Sequence, residues 1–583
     1  MTAERLSDII RAVTTGGNLL MKKAIPVIIA IVLICVVLGV SFGKTILERY
    51  SYGHEKADLN AYFDIYSASE VPVILQDTRI EEKGSMKDGH VYFPLSTVKK
   101  LFTDRFYYDY KENLLLYTNA VTTVRSEVGS SSYTESGANV DFGHVISYEE
   151  GGSLFISIDY IKKFVNFSYE LFEDPYHMQL YTEWGTKDVA AIKKPTAVRW
   201  RAGVKSEILT EVEEGDIVEL LEPLDDWMKV KTKDGFIGYL EQKFLKDETT
   251  EAESPVTEVA PENFKSLNLN KKINLVWHNM EYVQGASELY AACAKVKSVN
   301  VISPTWFWLS DNEGNFDNVA SAEYVDAAHA MGMDVWGLVA NFHSYTDVNT
   351  EAVLTYTSKR EHLVSGLVEA ALQYKLDGIN VDFESVPPST GDAYIQFIRE
   401  LSLACHENNL VLSVDNYVPT EYTAFYNRKE QGIFVDYVII MGYDEHYAGS
   451  DAGSVSSMPW MVKGIQDTVS VVPKEKVINA IPFYTRVWKT TGGEVSSEAV
   501  TMAVAADFLT RNNLTAKWDD ATNQNYAEMT SGSTLYQVWM EDLESLKVRL
   551  NVIKESGIAG VAEWKLGQEI PEAWDYIEAY MQY

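Results

Sequence analysis

From residue 271 to the end, short apolar runs alternate with longer stretches of helical spacing, the pattern of strand and helix repeating around a parallel sheet. Eight runs read as strands: INLVWHN from Ile273, VNVISPTWFW from Val299, DVWGLVANF from Asp334, LDGINVDFE from Leu376, LVLSVDNYV from Leu410, VDYVIIMGY from Val435, VINAIPFY from Val477 and IAGVAEWKL from Ile558. Eight such strands with intervening helices predict a closed (β/α)8 barrel of the TIM type over 267–583, with its working face at the strand C-terminal ends. The stretch 485–556, between the last two runs, is long enough for a small extra subdomain beside that face.

The pattern changes character towards the N-terminus. Residues 24–42 (AIPVIIAIVLICVVLGVSF) carry no charge and suffice to cross a hydrocarbon layer of ~30 Å as one helix. Arg11, Lys22 and Lys23 precede this run, so the positive-inside rule places 1–23 in the cytoplasm and the bulk of the chain outside, as a single-pass protein of a bacterial surface. A cleaved signal peptide is the alternative, although no small-x-small site stands out. After a juxtamembrane segment (43–70), residues 71–185 hold an internal repeat: VYFPLSTVKKLF at 91–102 matches LFISIDYIKKFV at 154–165, each strand, amphipathic helix and strand. This α+β module resembles the small N-terminal module of copper amine oxidases, which does not hold the metal. Residues 191–246 alternate as short strands with Gly215-Asp216 and Asp234-Gly235 as turns. Arg201, Gly215, Asp226-Trp227 and 235–239 make this all-β segment resemble a bacterial SH3-like barrel, a wall-contacting module or a spacer. Residues 247–266 are acidic and poor in large apolar side chains, which predicts a linker. The expected architecture is multidomain.

Composition narrows the partners. With 50 Lys+Arg against 84 Asp+Glu, a net charge of -34 argues against a nucleic-acid partner, because phosphate binding needs clustered cations. The three cysteines, Cys35, Cys293 and Cys405, are too scattered for a disulfide framework or a zinc site. No metal and no cofactor is implied.

The sharpest chemistry lies in DGINVDFE, where Asn380, Asp382 and Glu384 alternate and so point to one side of the strand. Barrel interiors are normally filled by Val, Ile and Leu, so three inward polar groups need partners or a task. Asp377 sits on the opposite phase, where a structural hydrogen-bonding role is expected. The lone residues His278 and Glu563, and Trp306, Trp308 and Trp336, either line the cleft or pack in the core.

DGINVDFE resembles the D-x-x-D-x-D-x-E signature of glycoside hydrolase family 18, the chitinase-like enzymes. MGYDEHY at 441–447, IPFYTRVW at 481–488 and GVAEW at 560–564 are similar to that family's motifs on strands six, seven and eight. The resemblance implies a retaining, substrate-assisted glycosidase in which Glu384 is the general acid and base and the substrate's own acetamido oxygen attacks. By the same resemblance Asp382 accepts the acetamide N–H, Tyr443 donates to its carbonyl, Asp444, Tyr484 and Met441 contact the sugar, and Trp564 forms the floor. Asn380 stands where the family's middle Asp usually stands; it cannot share a proton, but its amide is expected to donate to Asp382 and keep it ionised. The D-G-x-N-x-D-F-E form is similar to the spore-cortex and cell-wall N-acetylglucosaminidase subgroup, which favours peptidoglycan over chitin as partner. A non-catalytic glycan-binding lectin and a wall-scaffolding surface protein are the competing classes, and endo against exo cleavage stays open.

Overall fold

The computed structural model describes residues 26–44, 48–343 and 346–582. The expected cytoplasmic segment 1–23 and the first residues of the expected span, Ala24 and Ile25, lie outside the described residues. The helix Pro26–Tyr50 holds an 18-residue window of mean hydropathy 2.8, none of which is buried. It is long and apolar enough to cross a membrane, a property that membrane spans and N-terminal signal sequences share.

The chain divides into two compact units. One comprises the described residues up to Thr97 together with Ile156–Val259. It contains five sheet-forming strands in the order Ser168–Phe172, His177–Tyr181, Glu70–Leu75, Thr78–Lys87 and His90–Pro94. It also contains a seven-stranded antiparallel sheet running from Thr186–Ile192 to Leu245–Ala252, over a core of Ile192, Val198, Val212, Val218, Val230, Leu240 and Phe244. The last strand takes in the first residues of the acidic segment expected to be linker. It sits at the sheet edge and pairs its backbone with Thr186–Ile192, so its charged side chains stay in solvent while the backbone groups that face the sheet are paired.

The second unit comprises Val98–Phe155 and Ala260–Tyr583. Its centre is a closed barrel of eight parallel strands: β1 (Ile273–His278), β2 (Val301–Leu309), β3 (Asp334–Ala340), β4 (Gly378–Asp382), β5 (Val411–Tyr417), β6 (Tyr437–Met441), β7 (Val477–Pro482) and β8 (Gly560–Trp564). β1 pairs with both β2 and β8, which closes the ring. Period-two alternation sorts each strand. On β4, Ile379 and Val381 join the core beneath the helices, whereas Asn380 and Asp382 face inward; on β6, Val438 and Ile440 go out and Tyr437, Ile439 and Met441 go in. Gly378 permits the close approach at the barrel's lower end, since a Cβ there would lie 2.6 Å from the Val411 carbonyl oxygen and 2.8 Å from the Trp336 ring. Trp336 fills that space, stacked on Tyr437 with centroids 5.4 Å apart. Trp306 and Trp308 are buried as well, so all three tryptophans pack.

Two additions matter for the site. Between β7 and β8 the chain forms a five-stranded antiparallel sheet, Tyr484–Thr491 to Thr534–Trp539, carrying the helix Met502–Arg511. A second five-stranded antiparallel sheet, from Phe106–Asp109 to Ala138–Asp141, covers the helices α1 (Thr357–Tyr374) and α2 (Gly391–Glu407) that flank β4. Its Tyr107 and Leu116 belong to the barrel's own outer core. Asp109, fully buried, accepts from both the N–H (2.7 Å) and the hydroxyl (2.6 Å) of Thr357 and so caps α1, whose N-cap residue Tyr356 has no capping side chain.

Candidate active site

A cavity of about 110 Å³ opens at the C-terminal ends of the barrel strands. Asp382 and Glu384 reach it from β4, Asp415 and Tyr417 from β5, Met441, Tyr443 and Asp444 from β6, and Trp277 and Trp564 from β1 and β8. Six of the eight residues assigned catalytic or binding roles from the sequence therefore meet in one space. Tyr484 joins through its phenol, which donates to Asp444 Oδ1 at 2.5 Å.

Asn380 lies one layer deeper, fully buried. Its Oδ1 accepts from Trp277 Nε1 (2.9 Å) and Ser303 Oγ (3.1 Å), and its amide donates to Ser413 Oγ (3.1 Å) and Asp415 Oδ1 (2.8 Å). The expected bond from Asn380 to Asp382 is thus replaced by one to Asp415. Residues two apart on one strand are separated by about 6.6 Å, so the amide finds its acceptors on the flanking strands. Asp377 is outside the cavity; its Oδ2 accepts from the Val335 N–H and contacts His329 Nε2, both at 2.8 Å.

The backbone around Glu384 is held firmly. Asn341, just past β3, accepts from the Glu384 N–H (2.8 Å) and donates to its carbonyl (2.9 Å), and Tyr426 donates to the Phe383 carbonyl (3.0 Å). Ser385 then turns the chain with φ of 51°, and its N–H donates to the Tyr417 hydroxyl at 3.2 Å. That hydroxyl in turn donates to Glu384 Oε2 at 2.7 Å.

The electrostatics follow from burial without cations. Burial lifts the Glu384 carboxyl above the ordinary range; the Tyr417 bond works against this and the Asp444 charge adds to it. Asp382 is raised well above its ordinary value by burial, then by Glu384 and Asp415, and its Oδ1 has no hydrogen-bond partner. Burial also raises Asp415, with the Asn380 bond opposing and Glu384 reinforcing. Tyr443, raised by burial, stays a phenol able to donate. A glutamate whose pKa is lifted by burial, beside a second buried carboxyl, is suited to acid catalysis on an oxygen leaving group.

Residues 336–569 match the model of the Glycosyl hydrolases family 18. That stretch, which runs from β3 through β8, is a family 18 domain. Among curated proteins this chain is 26% identical over 240 residues to the cortical fragment-lytic enzyme of Bacillus subtilis (strain 168), covering 40% of this chain and 56% of that protein. It is 23% identical over 309 residues to the uncharacterized glycosylase YvbX of the same organism, covering 51% and 89%. The crystal structure of the Bacillus cereus spore cortex-lytic enzyme SleL aligns at 20% identity with a TM-score of 0.48, covering 56% of this chain and 77% of that one. The chain spans about half the length of the first curated relatives it matches.

Sequence reasoning does not find Asp415, Tyr417, Asn341 or Trp277 in this family 18 site. A signal existed for the first two, because Ser413, Asp415 and Tyr417 alternate along LVLSVDNYV as the β4 triplet does. Two residues left open between cleft and core turn away from the cavity. His278 Nδ1 pairs with the Tyr324 hydroxyl at 2.8 Å, and burial lowers the imidazole to about 4. Glu563, on the phase of Val561, is fully buried with neither carboxylate oxygen bonded.

Proposed function

We propose that the barrel hydrolyses β-linked N-acetylglucosamine glycans with retention, and that its substrate is bacterial wall glycan. The observation that carries this reading is the convergence of Glu384, Asp382, Tyr443, Asp444 and Trp564 on one cavity at the strand ends. Glu384 gives its proton to the glycosidic oxygen as that oxygen leaves C1. The acetamido oxygen of the same sugar bonds to C1 from the other face. Asp382 accepts the acetamide N–H and Tyr443 donates to the acetamide oxygen, while Trp564 supports the ring. Water then adds at C1, gives a proton to Glu384 and releases the acetamide, which restores the starting site.

The names of the curated relatives, which refer to lysis of cortical fragments, support a wall glycan over chitin. The apolar helix Pro26–Tyr50 supports an extracellular, membrane-anchored placement, and the two β-rich segments before the barrel, with their SH3-like and copper-amine-oxidase-like sequences, suit a spacer or wall contact.

The test is turnover of purified peptidoglycan and of chitin oligomers by the full chain in detergent, with products weighed by mass spectrometry. Release of reducing ends by the wild type and its loss in Glu384→Gln, with glycan binding kept, is expected. Full turnover in Glu384→Gln overturns the assignment, and binding without turnover in the wild type favours a lectin.

A further inference from the structure

We propose that Asp415 is a positioning residue of this reaction: Asp415 and Asp382, side by side on β5 and β4, carry one proton between them, and Asn380 holds Asp415 in place for that purpose. This rests on the reading of Glu384 as the acid.

The strand register supplies the geometry. β4 and β5 run parallel with Asn380 beside Ser413 and Val381 beside Val414, so the next step sets Asp382 beside Asp415. Neighbouring strands lie about 4.8 Å apart, and both residues have the inward phase. Asp382 is 7% exposed and Asp415 2%. Among the described residues no lysine, arginine or histidine pairs with either. The titratable groups facing Asp415 are Asp382 and Glu384 from β4, Tyr443 and Asp444 from the end of β6, Tyr417 on its own strand and Tyr394 from α2, none of them cationic; the buried Arg428 acts on Tyr394 and Tyr426 and donates to the Tyr417 carbonyl at 2.8 Å instead of to either aspartate. Two adjacent buried carboxylates without a counter-charge do not both ionise, so the pair retains a proton.

Hydrogen bonding decides where that proton rests. Asp415 Oδ1 accepts from the Asn380 amide, which favours the ionised form of Asp415. Asp382 has an oxygen with no partner, so in the resting site it is the protonated member. When an N–H donor of a substrate reaches Asp382, ionised Asp382 becomes the better acceptor, and the proton passes to Asp415. One O–H bond breaks and one forms, and the net charge of the pair is unchanged. An amide at 380 suits this arrangement because it donates, whereas a carboxylate there would add a further like charge.

The test compares pH profiles of kcat/KM for the wild type, Asp415→Asn and the exchanged pair Asn380→Asp/Asp415→Asn, using full chain and a fluorogenic chitobioside. Asp415→Asn removes a like charge from Asp382 and Glu384 and is expected to move the basic limb down by about half to one pH unit. The exchanged pair returns the charge to the neighbouring atom across the 2.8 Å contact and is expected to bring the limb back towards the wild type. A profile for Asp415→Asn that superimposes on the wild type, or an exchanged pair no closer to wild type than the single variant, overturns the proposal. Should either variant fail to fold, the infrared spectrum of wild-type protein with 13C-labelled aspartate decides: a protonated aspartic acid at pH 7 is expected, and its absence overturns the pairing. That readout does not depend on Glu384, so an active Glu384→Gln variant removes the assigned reaction without touching it.

Discussion

The phenol of Tyr417 donates to Glu384 Oε2 at 2.7 Å while its oxygen accepts from the N–H of Ser385. A residue at the end of β5 therefore orients the glutamate at the end of β4 and stabilises its ionised form, against the burial that lifts its pKa. Tyr417→Phe removes that stabilisation. The basic limb of the pH profile is expected to rise by about one to two units, since a hydrogen bond to a charged group is worth ~1.5–3 kcal/mol. At the same time kcat should fall, because the carboxyl is less firmly aimed. A basic limb that stays or moves down contradicts this role.

Trp564 edges against Trp277 with centroids 5.8 Å apart and lines the cavity. If it is the floor under the sugar, Trp564→Ala should raise KM about tenfold, ~1.4 kcal/mol of binding, with a smaller change in kcat. Titration of Glu384→Gln/Trp564→Ala with a chitin oligomer checks the affinity directly; unchanged affinity excludes the floor role.

Asp109 caps α1 across 248 residues of sequence. Asp109→Ala leaves a buried N–H and a buried hydroxyl of Thr357 without their acceptor, at a cost of about 2 kcal/mol. Thermal unfolding followed by tryptophan fluorescence should show a lowered midpoint, with a smaller loss for Asp109→Asn, which keeps an acceptor. Equal midpoints for all three proteins rule out the cap as a stabilising contact.

Glu563 is buried with both oxygens unbonded, and burial, then the charge of Glu569, raises its pKa well above the carboxylate range. The folded protein therefore favours the protonated form. This group leaves stability intact at pH below about 4, and reduces it as pH climbs from there towards the raised folded value, because only the unfolded chain ionises freely. Glu563→Gln does not titrate, so its melting temperature relative to the wild type is expected to rise between pH 4 and pH 8. A difference that stays constant across that range defeats the prediction.

Strand-level features were legible without coordinates. Apolar runs bounded by polar turns marked the eight barrel strands, and the period of two placed Asn380, Asp382 and Glu384 on one face, because side-chain direction within a strand is a local property of the backbone. Motif order then brought Tyr443, Asp444, Tyr484 and Trp564 into the same site. The tertiary structure decided what lies beside what. Parallel register sets Asp415 next to Asp382 and turns the Asn380 amide towards β5; the loop after β3 brings Asn341 onto the Glu384 backbone; and a sheet from 106–141 supplies the cap of α1. Such pairings depend on how separate elements pack, and no local periodicity encodes them.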